Sequence, residues 1–404
     1  MIKSILSCLC FCLLASCAQE DSSVNIGETL SIRSEILGED RPYWVYLPES
    51  YGNETSAPRR YPVLYLLDGD GHFHSATGVV QFMSGGINGN VQIPELIVVA
   101  IPNTNRTRDL TPSHTTVGFD GEEAGFQTDS GGGDAFLKFV RDELFPKIDS
   151  DYRTTSHRTL VGHSFGGLLA LHALLAAPDM FQAYIAIDPS LWWDDKLLVR
   201  QAEKIGADNH ERRGSVYISL ANNSDVVTGE PSVMEAAGRE FGRTLAGAEH
   251  SGIRSTLQYF EAEDHGSVPL LSLYYGLLHT FEGYKFSIGD FIAEPSVASV
   301  IAHFRGVSER LGIDSEPPES LVNQLGYLLL YTIEDLDMAV EMFLLNVTNY
   351  PASSNVYDSL GEAYIVRGDT IPAIANYEKS LELDPNNQNA VDQLKALRTE
   401  QQAK

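Results

Sequence analysis

Cysteine is confined to the start of the chain: all 4 cysteines lie at or before Cys17. A chain processed at that point has no disulfide, no cysteine-based metal site and no cysteine nucleophile, so its stability must come from an apolar core. Positive charge is scarce as well, with 28 Lys+Arg against 55 Asp+Glu and a formal net charge of −27. That balance repels nucleic-acid phosphates and anionic lipid, which excludes binding to either through a basic patch. Long apolar runs are missing except from Ile5 to Ala15, and that run is too short to span a bilayer as a stable helix.

What is present at the start is a positive Met1-Ile2-Lys3-Ser4, the short apolar run, and Leu14-Ala15-Ser16-Cys17. This order predicts a secretory signal over 1–17. Its last four residues resemble a bacterial lipobox, which implies export and acylation at Cys17. The expected location is a bacterial membrane, periplasmic or cell-surface, with the lipid anchor as the sole membrane contact. A cleaved signal without acylation is the alternative. Residues 18–27 are small and polar and read as a tether.

From residue 28 to about 290 the chain alternates strand-like and helix-like runs. Thr29–Leu37 and Pro42–Leu47 read as an antiparallel pair. Val63–Leu67 and Leu96–Ile101 are unbroken apolar runs of the kind buried on both faces of a parallel sheet. Asp68-Gly69-Asp70-Gly71 reads as a loop at a strand end, and 102–133 as a long polar, glycine-rich loop. Further strands are expected at Arg158–Val161, Tyr184–Ile187, Val216–Leu220 and Ser255–Phe260, with helices over Ala135–Ile148, after Ser164, and over Ser232–Ala246. Such alternation predicts a mostly parallel, doubly wound α/β sheet whose site gathers beyond the strand C-termini. Over 291–404 helix-period runs take over. Tyr357, Leu360, Gly361, Tyr364, Ala373, Tyr377 and Pro385 resemble a tetratricopeptide repeat, and Gly326, Ala339, Phe343 and Pro351 mark a second, earlier copy. Two repeats seldom stand alone, so a Val297–Leu311 helix and a capping helix near Ala390–Leu397 are expected to complete a small all-α domain.

The chemistry centres on Gly162-His163-Ser164-Phe165-Gly166, placed between an apolar strand and a Leu/Ala-rich helix. Gly-x-Ser-x-Gly in that setting is a nucleophile elbow, with Ser164 on a strained turn that needs glycine on both sides. A serine hydroxyl needs a base to take its proton. His265 follows the strand Ser255–Phe260 and is placed for that task, whereas His163, adjacent to Ser164 on a tight turn, is expected to pack beneath the site. The acid is expected on the loop after Val216–Leu220, at Asp225 with Glu230 as the alternative, because orienting the imidazole needs only a carboxylate within reach. The oxyanion hole needs two backbone N–H groups, one from Phe165 and one from Gly69 or Asp70.

These residues resemble the esterase D and trilactone-esterase branch of the α/β-hydrolases, the Putative esterase family. The resemblance rests on Leu66-Leu67-Asp68-Gly69, on Gly162 to Gly167, on Asp188-Pro189-Ser190-Leu191-Trp192-Trp193-Asp194 and on Asp264-His265-Gly266-Ser267-Val268, and spans about Tyr43 to Phe281. It implies the α/β-hydrolase fold and a serine carboxylic ester hydrolase working through an acyl-enzyme, with no metal and no organic cofactor. The Ser-Leu-Trp-Trp and His-Gly-Ser-Val strings are similar to those of enzymes that open siderophore lactones. Trp192 and Trp193 are candidates for stacking on an aromatic acyl group or a sugar ring. Arg106, with Arg108, is a candidate source of local positive charge for a small-molecule or glycan ester. Feruloyl or acetyl esterases acting on polysaccharides share the branch and give the rival reading. A reading from another class is an inactive surface protein whose repeats bind a protein partner.

Overall fold

The computed structural model describes residues 24–52, 59–85, 91–203, 214–224, 230–247, 252–313 and 315–403. Cys17, the expected leader and Asp225 lie outside them. Strands β1 (Glu28–Ser34) and β2 (Glu39–Tyr46) form an antiparallel pair. Then follow β3 (Tyr61–Leu67), α1 (Gly69–Ser84), β4 (Ile97–Ile101), α2 (Arg106–Leu110), α3 (Gly133–Phe139), α4 (Phe145–Asp151) and β5 (Thr154–His163). A π-turn over Val140–Leu144 joins α3 to α4. The unit continues through α5 (Phe165–Ala176), β6 (Ala183–Ile187), α6 (Trp193–Ala202), β7 (Gly214–Ala221), α7 (Val233–Gly247), β8 (Ile253–Phe260) and α8 (Val268–Thr280).

The strands form one sheet in the order β1-β2-β4-β3-β5-β6-β7-β8. β2 runs antiparallel to β4, and every pairing from β4 to β8 is parallel. This is the α/β-hydrolase fold. β3, β4 and β6 are buried along their whole length, which is why their sequences carry no polar alternation. The outermost strands β1 and β8 alternate exposed and covered residues instead. One face of the sheet packs on α3, α5, α6 and α7 through residues such as Phe136, Leu169, Leu198 and Phe241. The other packs on α1 and α8 through Val80, Leu273 and Leu277.

Beyond α8 the chain is helical: α9 (Ile288–Ala293), α10 (Val297–Leu311), α11 (Glu319–Leu328), α12 (Leu336–Asn349), α13 (Ser354–Arg367), α14 (Thr370–Leu383) and α15 (Gln388–Ala403). Side-chain caps start several of these helices, Ser287 accepting from Asp290 N–H, Ser296 from Ser299 N–H and Asp335 from Met338 N–H. Consecutive helices touch at equivalent points. A side chain on Gly326 would meet the ring of Phe343, and one on Gly361 would meet the ring of Tyr377. Val300, Phe304, Leu325 and Phe343 belong to the same apolar cluster as α1 and α8, so the helical region and the sheet share a core. His157 Nδ1–H donates to Leu311 O at 3.0 Å across this joint.

The elements differ from expectation at three places. Only Asp68 of the expected Asp68–Gly71 loop lies outside a helix, since α1 starts at Gly69. Its sequence, rich in Gly, His and Ser, hides the helical period. The 102–133 loop holds the short helix α2 and a 3₁₀ turn at Gly125–Gln127. Trp193 opens a further helix, α6, whose first turn contains left-handed Asp194, Asp195 and Lys196.

The tightest point is the crossing of β5 and α5, where a Cβ on Gly162 would lie 2.2 Å from Gly166 O, whereas one on Gly71 would meet nothing within 4 Å. Backbone cannot move aside as a side chain can. Gly162→Ala should therefore cost at least about 3 kcal/mol or prevent folding. Gly71→Ala should raise stability slightly, by roughly 0.5 kcal/mol, through helix propensity. Urea unfolding of the two variants, read side by side, checks this contrast.

Candidate active site

The parallel register brings four chain segments to one edge of the sheet. Leu66 pairs with Val161, His163 with Ile187, and Ile187 with Ser219. Directly after the last residues of β3, β5 and β6, Leu67, His163 and Ile187, stand Asp68, Ser164 and Asp188. All three have positive φ, at 52°, 59° and 40°. None is glycine, so each turn-out is strained and must be held by its surroundings. Ser164 is held on both sides: its N–H donates to Ile187 O at 3.0 Å, and its carbonyl accepts from Ser190 N–H at 3.1 Å and Leu168 N–H at 2.9 Å.

His265 lies five residues beyond the end of β8. Its Nδ1–H donates to Asp188 Oδ2 at 2.6 Å. Asp188 is fully buried and also accepts from Ala221 N–H at 3.0 Å and Asn223 Nδ2 at 2.7 Å. Three donors converge on a carboxylate with no access to water, which fixes its orientation. The carboxylate that His265 bonds is thus Asp188, directly after β6. The acid was expected at Asp225, which lies outside the described residues, with Glu230 as its alternative. Asp188 was present in one of the strings that carried the family resemblance, without a role. Strand adjacency is the signal that would have singled it out, because β6 lies directly beside β5 and puts Asp188 in register with Ser164.

The Ser164 hydroxyl shares a hydrogen bond with Ser190 Oγ at 3.2 Å and has none to His265 in this structure. The His163 ring lies tilted by 40° against His265, with centroids 4.4 Å apart, and meets His72 edge-on. Burial, and after it the neighbouring His265 and His72, holds the His163 imidazole down at about 4. A neutral ring therefore lies under His265.

The backbone donors expected around the serine begin helices. Phe165 and Gly69 are the first residues of α5 and α1, where N–H groups have no intrahelical acceptor and the helix dipole adds positive potential. The two helix starts touch: a Cβ on Gly166 would lie 3.2 Å from Asp68 Oδ2. Asp70 turns its side chain to Asn103, accepting from the backbone N–H at 3.2 Å and from Nδ2 at 3.1 Å.

The remaining expected contacts divide. Trp192 is half-buried, 6.1 Å from Phe165 and edge-to-face with Phe119, itself 67% exposed. Trp193 is 0% exposed, donates from Nε1 to Ser113 Oγ at 3.2 Å and packs edge-on against Phe165. It is a core residue and cannot touch a ligand, which corrects the pairing of both tryptophans as substrate contacts. Arg106 is at the site, but its guanidinium grips Asp68 through Nε and Nη2 at 2.6 and 3.0 Å. Arg108 points away into Glu39 and Asp109, and its hydrogen bonds, with those of buried Arg41, hold the Glu39 carboxyl at about 2. Its charge is spent inside the fold.

The family profile described as "Putative esterase" matches residues 34–253. The chain is 32% identical over 241 residues to the ferri-bacillibactin esterase BesA of Bacillus subtilis, covering 57% of this chain and 81% of that one. Among solved structures it is similar to an IroE-like serine hydrolase from Shewanella oneidensis, at 32% identity and a TM-score of 0.67, covering 79% of this chain and 98% of that one. An uncharacterised protein from Capnocytophaga ochracea shares the fold over 92% of this chain and 99% of its own, at 17% identity and a TM-score of 0.59.

Two half-buried histidines carry a pH dependence. His163 is held at about 4, and so is His279, by burial and then by Arg254. Unfolding restores an ordinary value near 6.5, so the unfolded chain binds more protons between about 6.5 and 4. Stability from these groups is whole above that window and is lost as pH falls through it. The melting temperature should drop across the window in the wild type and drop less in His163→Gln and His279→Gln. A wild-type profile flat between those values would contradict the assignment.

Proposed function

Since the chain belongs to the Putative esterase family and is a carboxylic ester hydrolase, we propose that Ser164, His265 and Asp188 are its catalytic triad and that its substrates are siderophore esters. The observation that carries this reading is the hydrogen bond that His265 donates to the buried Asp188, set one strand over from a serine on a strained elbow. Asp188 fixes the tautomer that leaves Nε2 free of hydrogen, and Nε2 is the atom that takes the serine proton. On substrate binding the Ser164 hydroxyl exchanges Ser190 for His265, and Oγ attacks the ester carbonyl. The developing oxyanion is received by the N–H groups of Phe165 and Gly69. His265 then returns the proton to the departing alcohol, leaving an acyl group on Ser164. Water, deprotonated by the same imidazole, releases the acid.

The substrate class is supported by the relatives, since BesA acts on ferri-bacillibactin by its name. It is supported too by Trp192 and Phe119, which leave aromatic surface open beside the nucleophile for an aromatic acyl group to cover. We also propose export and acylation at Cys17, which incorporation of labelled palmitate into the wild type and not into Cys17→Ser would test. For α11 to α15, the repeated Gly326/Phe343 and Gly361/Tyr377 contacts support a tetratricopeptide-type stack.

The purified mature chain should hydrolyse p-nitrophenyl acetate slowly and a catecholate trilactone faster. Ser164→Ala and His265→Ala should each lower kcat by about 10⁴-fold or more, and Asp188→Asn by about 10³ to 10⁴-fold with the fold intact. Full activity in Asp188→Asn would remove it from the triad. Preference for feruloyl or acetyl polysaccharide esters over the trilactone would replace the substrate class and keep the mechanism.

A further inference from the structure

We propose that Arg106 is a positioning residue that locks the two halves of the oxyanion hole together, and not a contact for the substrate. This rests on the serine-hydrolase reading above. The two donors sit on separate elements, Phe165 on the turn from β5 to α5 and Gly69 on the turn from β3 to α1. A shift of a few tenths of an ångström between them would spoil their common aim at one oxygen, and charge stabilisation falls steeply with such misplacement.

One guanidinium spans that gap. Nε and Nη2 bind both oxygens of Asp68, the residue before Gly69, and Nη2 also donates to His163 O, the residue before Ser164, at 3.2 Å. The same group lies 5.3 Å from the centroid of the Phe165 ring. Arg106 therefore contacts residues on either side of the nucleophile and the residue that precedes the second donor. A planar fork that binds a carboxylate with two parallel bonds fixes orientation as well as distance, which a lysine cannot do.

Charge points the same way. Asp68 is only 7% exposed and lies against the start of α5. Left unpaired, its carboxylate would stand beside the place where the oxyanion forms and would oppose it. Arg106 and Asn103 Nδ2, 2.8 Å from Asp68 Oδ1, neutralise and bind that charge. Arg106 is in turn held from behind. Asn105 caps α2 by accepting from Arg108 N–H, and the helix is pinned to β2 by Arg108 bonding Glu39 and by Asp109 bonding Arg41.

The test compares Arg106→Gln, Arg106→Lys and the double variant Asp68→Asn/Arg106→Gln with the wild type on p-nitrophenyl acetate, which carries no net charge for an arginine to pair with. Arg106→Gln should lower kcat by about 10²-fold with KM changed less than about threefold, the loss of one oxyanion donor being of that size. Its affinity for an alkylboronic acid, which forms a tetrahedral anion on the serine, should fall in parallel. Removing the orphaned charge as well should recover part of the loss, so the double variant should be at least about fivefold faster than Arg106→Gln. Arg106→Lys, which keeps the charge and most of the packing, should fall between and serves if the glutamine variant does not fold. Unchanged kcat on the neutral ester in either single variant, with KM for a catecholate trilactone raised, would overturn the proposal and make Arg106 a substrate contact. Failure of the underlying reading shows separately, as activity surviving in Ser164→Ala.

Discussion

Three neighbouring strands of this sheet each end in a residue with positive φ, at Asp68, Ser164 and Asp188, and the site exists because the fold can hold all three. Such conformations cost of the order of 1–3 kcal/mol each for a residue with a side chain. Aspartate tolerates the left-handed region better than most, because its short polar side chain can bond locally. Serine has no such advantage and depends on what lies beneath. There the backbone of Gly166 occupies the space in which any side chain on Gly162 would stand. The close crossing of β5 and α5 therefore forces the bend, and the bend presents the hydroxyl at the open edge of the sheet.

Charge is arranged around the bend with the same economy. The chain is strongly acidic, yet the two buried carboxylates flanking Ser164 each have a cationic or proton-donating partner: Asp68 has Arg106, and Asp188 has His265. A buried ion without its partner would be costly, so each pair must remain together for the fold to be stable. Between them, His163 is neutral and packs its tilted ring against His265. An imidazolium at that position would repel the charge that His265 must carry when it holds the serine proton.

The helical region contributes from the side opposite this edge through shared packing. Val300, Phe304 and Leu325 join the apolar cluster that covers one face of the sheet, so the two parts are not independent bodies connected by a linker. Arg59 lies 4.2 Å from the ring centroid of Tyr350, whose hydroxyl donates to Pro317 O at 2.9 Å. Few repeats can bury their own apolar faces unaided, and here the sheet's helices supply the missing surface.

Much of this was legible in one dimension. Apolar runs buried on both faces announce parallel strands at Val63–Leu67 and Leu96–Ile101, helix period announces Val297–Leu311, and glycines around a serine between strand and helix announce the elbow. Those signals are local: each depends on the period of one element or on the space needed at one turn. The carboxylate that serves His265, the burial of Trp193 beside a half-exposed Trp192, and the pairing of Arg106 with Asp68 were not legible. Each depends on which strand lies beside which, and on which way a turn faces once the sheet has closed. The sequence by itself determined the strands, the helices of regular period, the elbow and the histidine beyond the last strand. Only the tertiary structure decided that β6 lies beside β5, because contacts between residues distant in the chain leave no periodic trace in it.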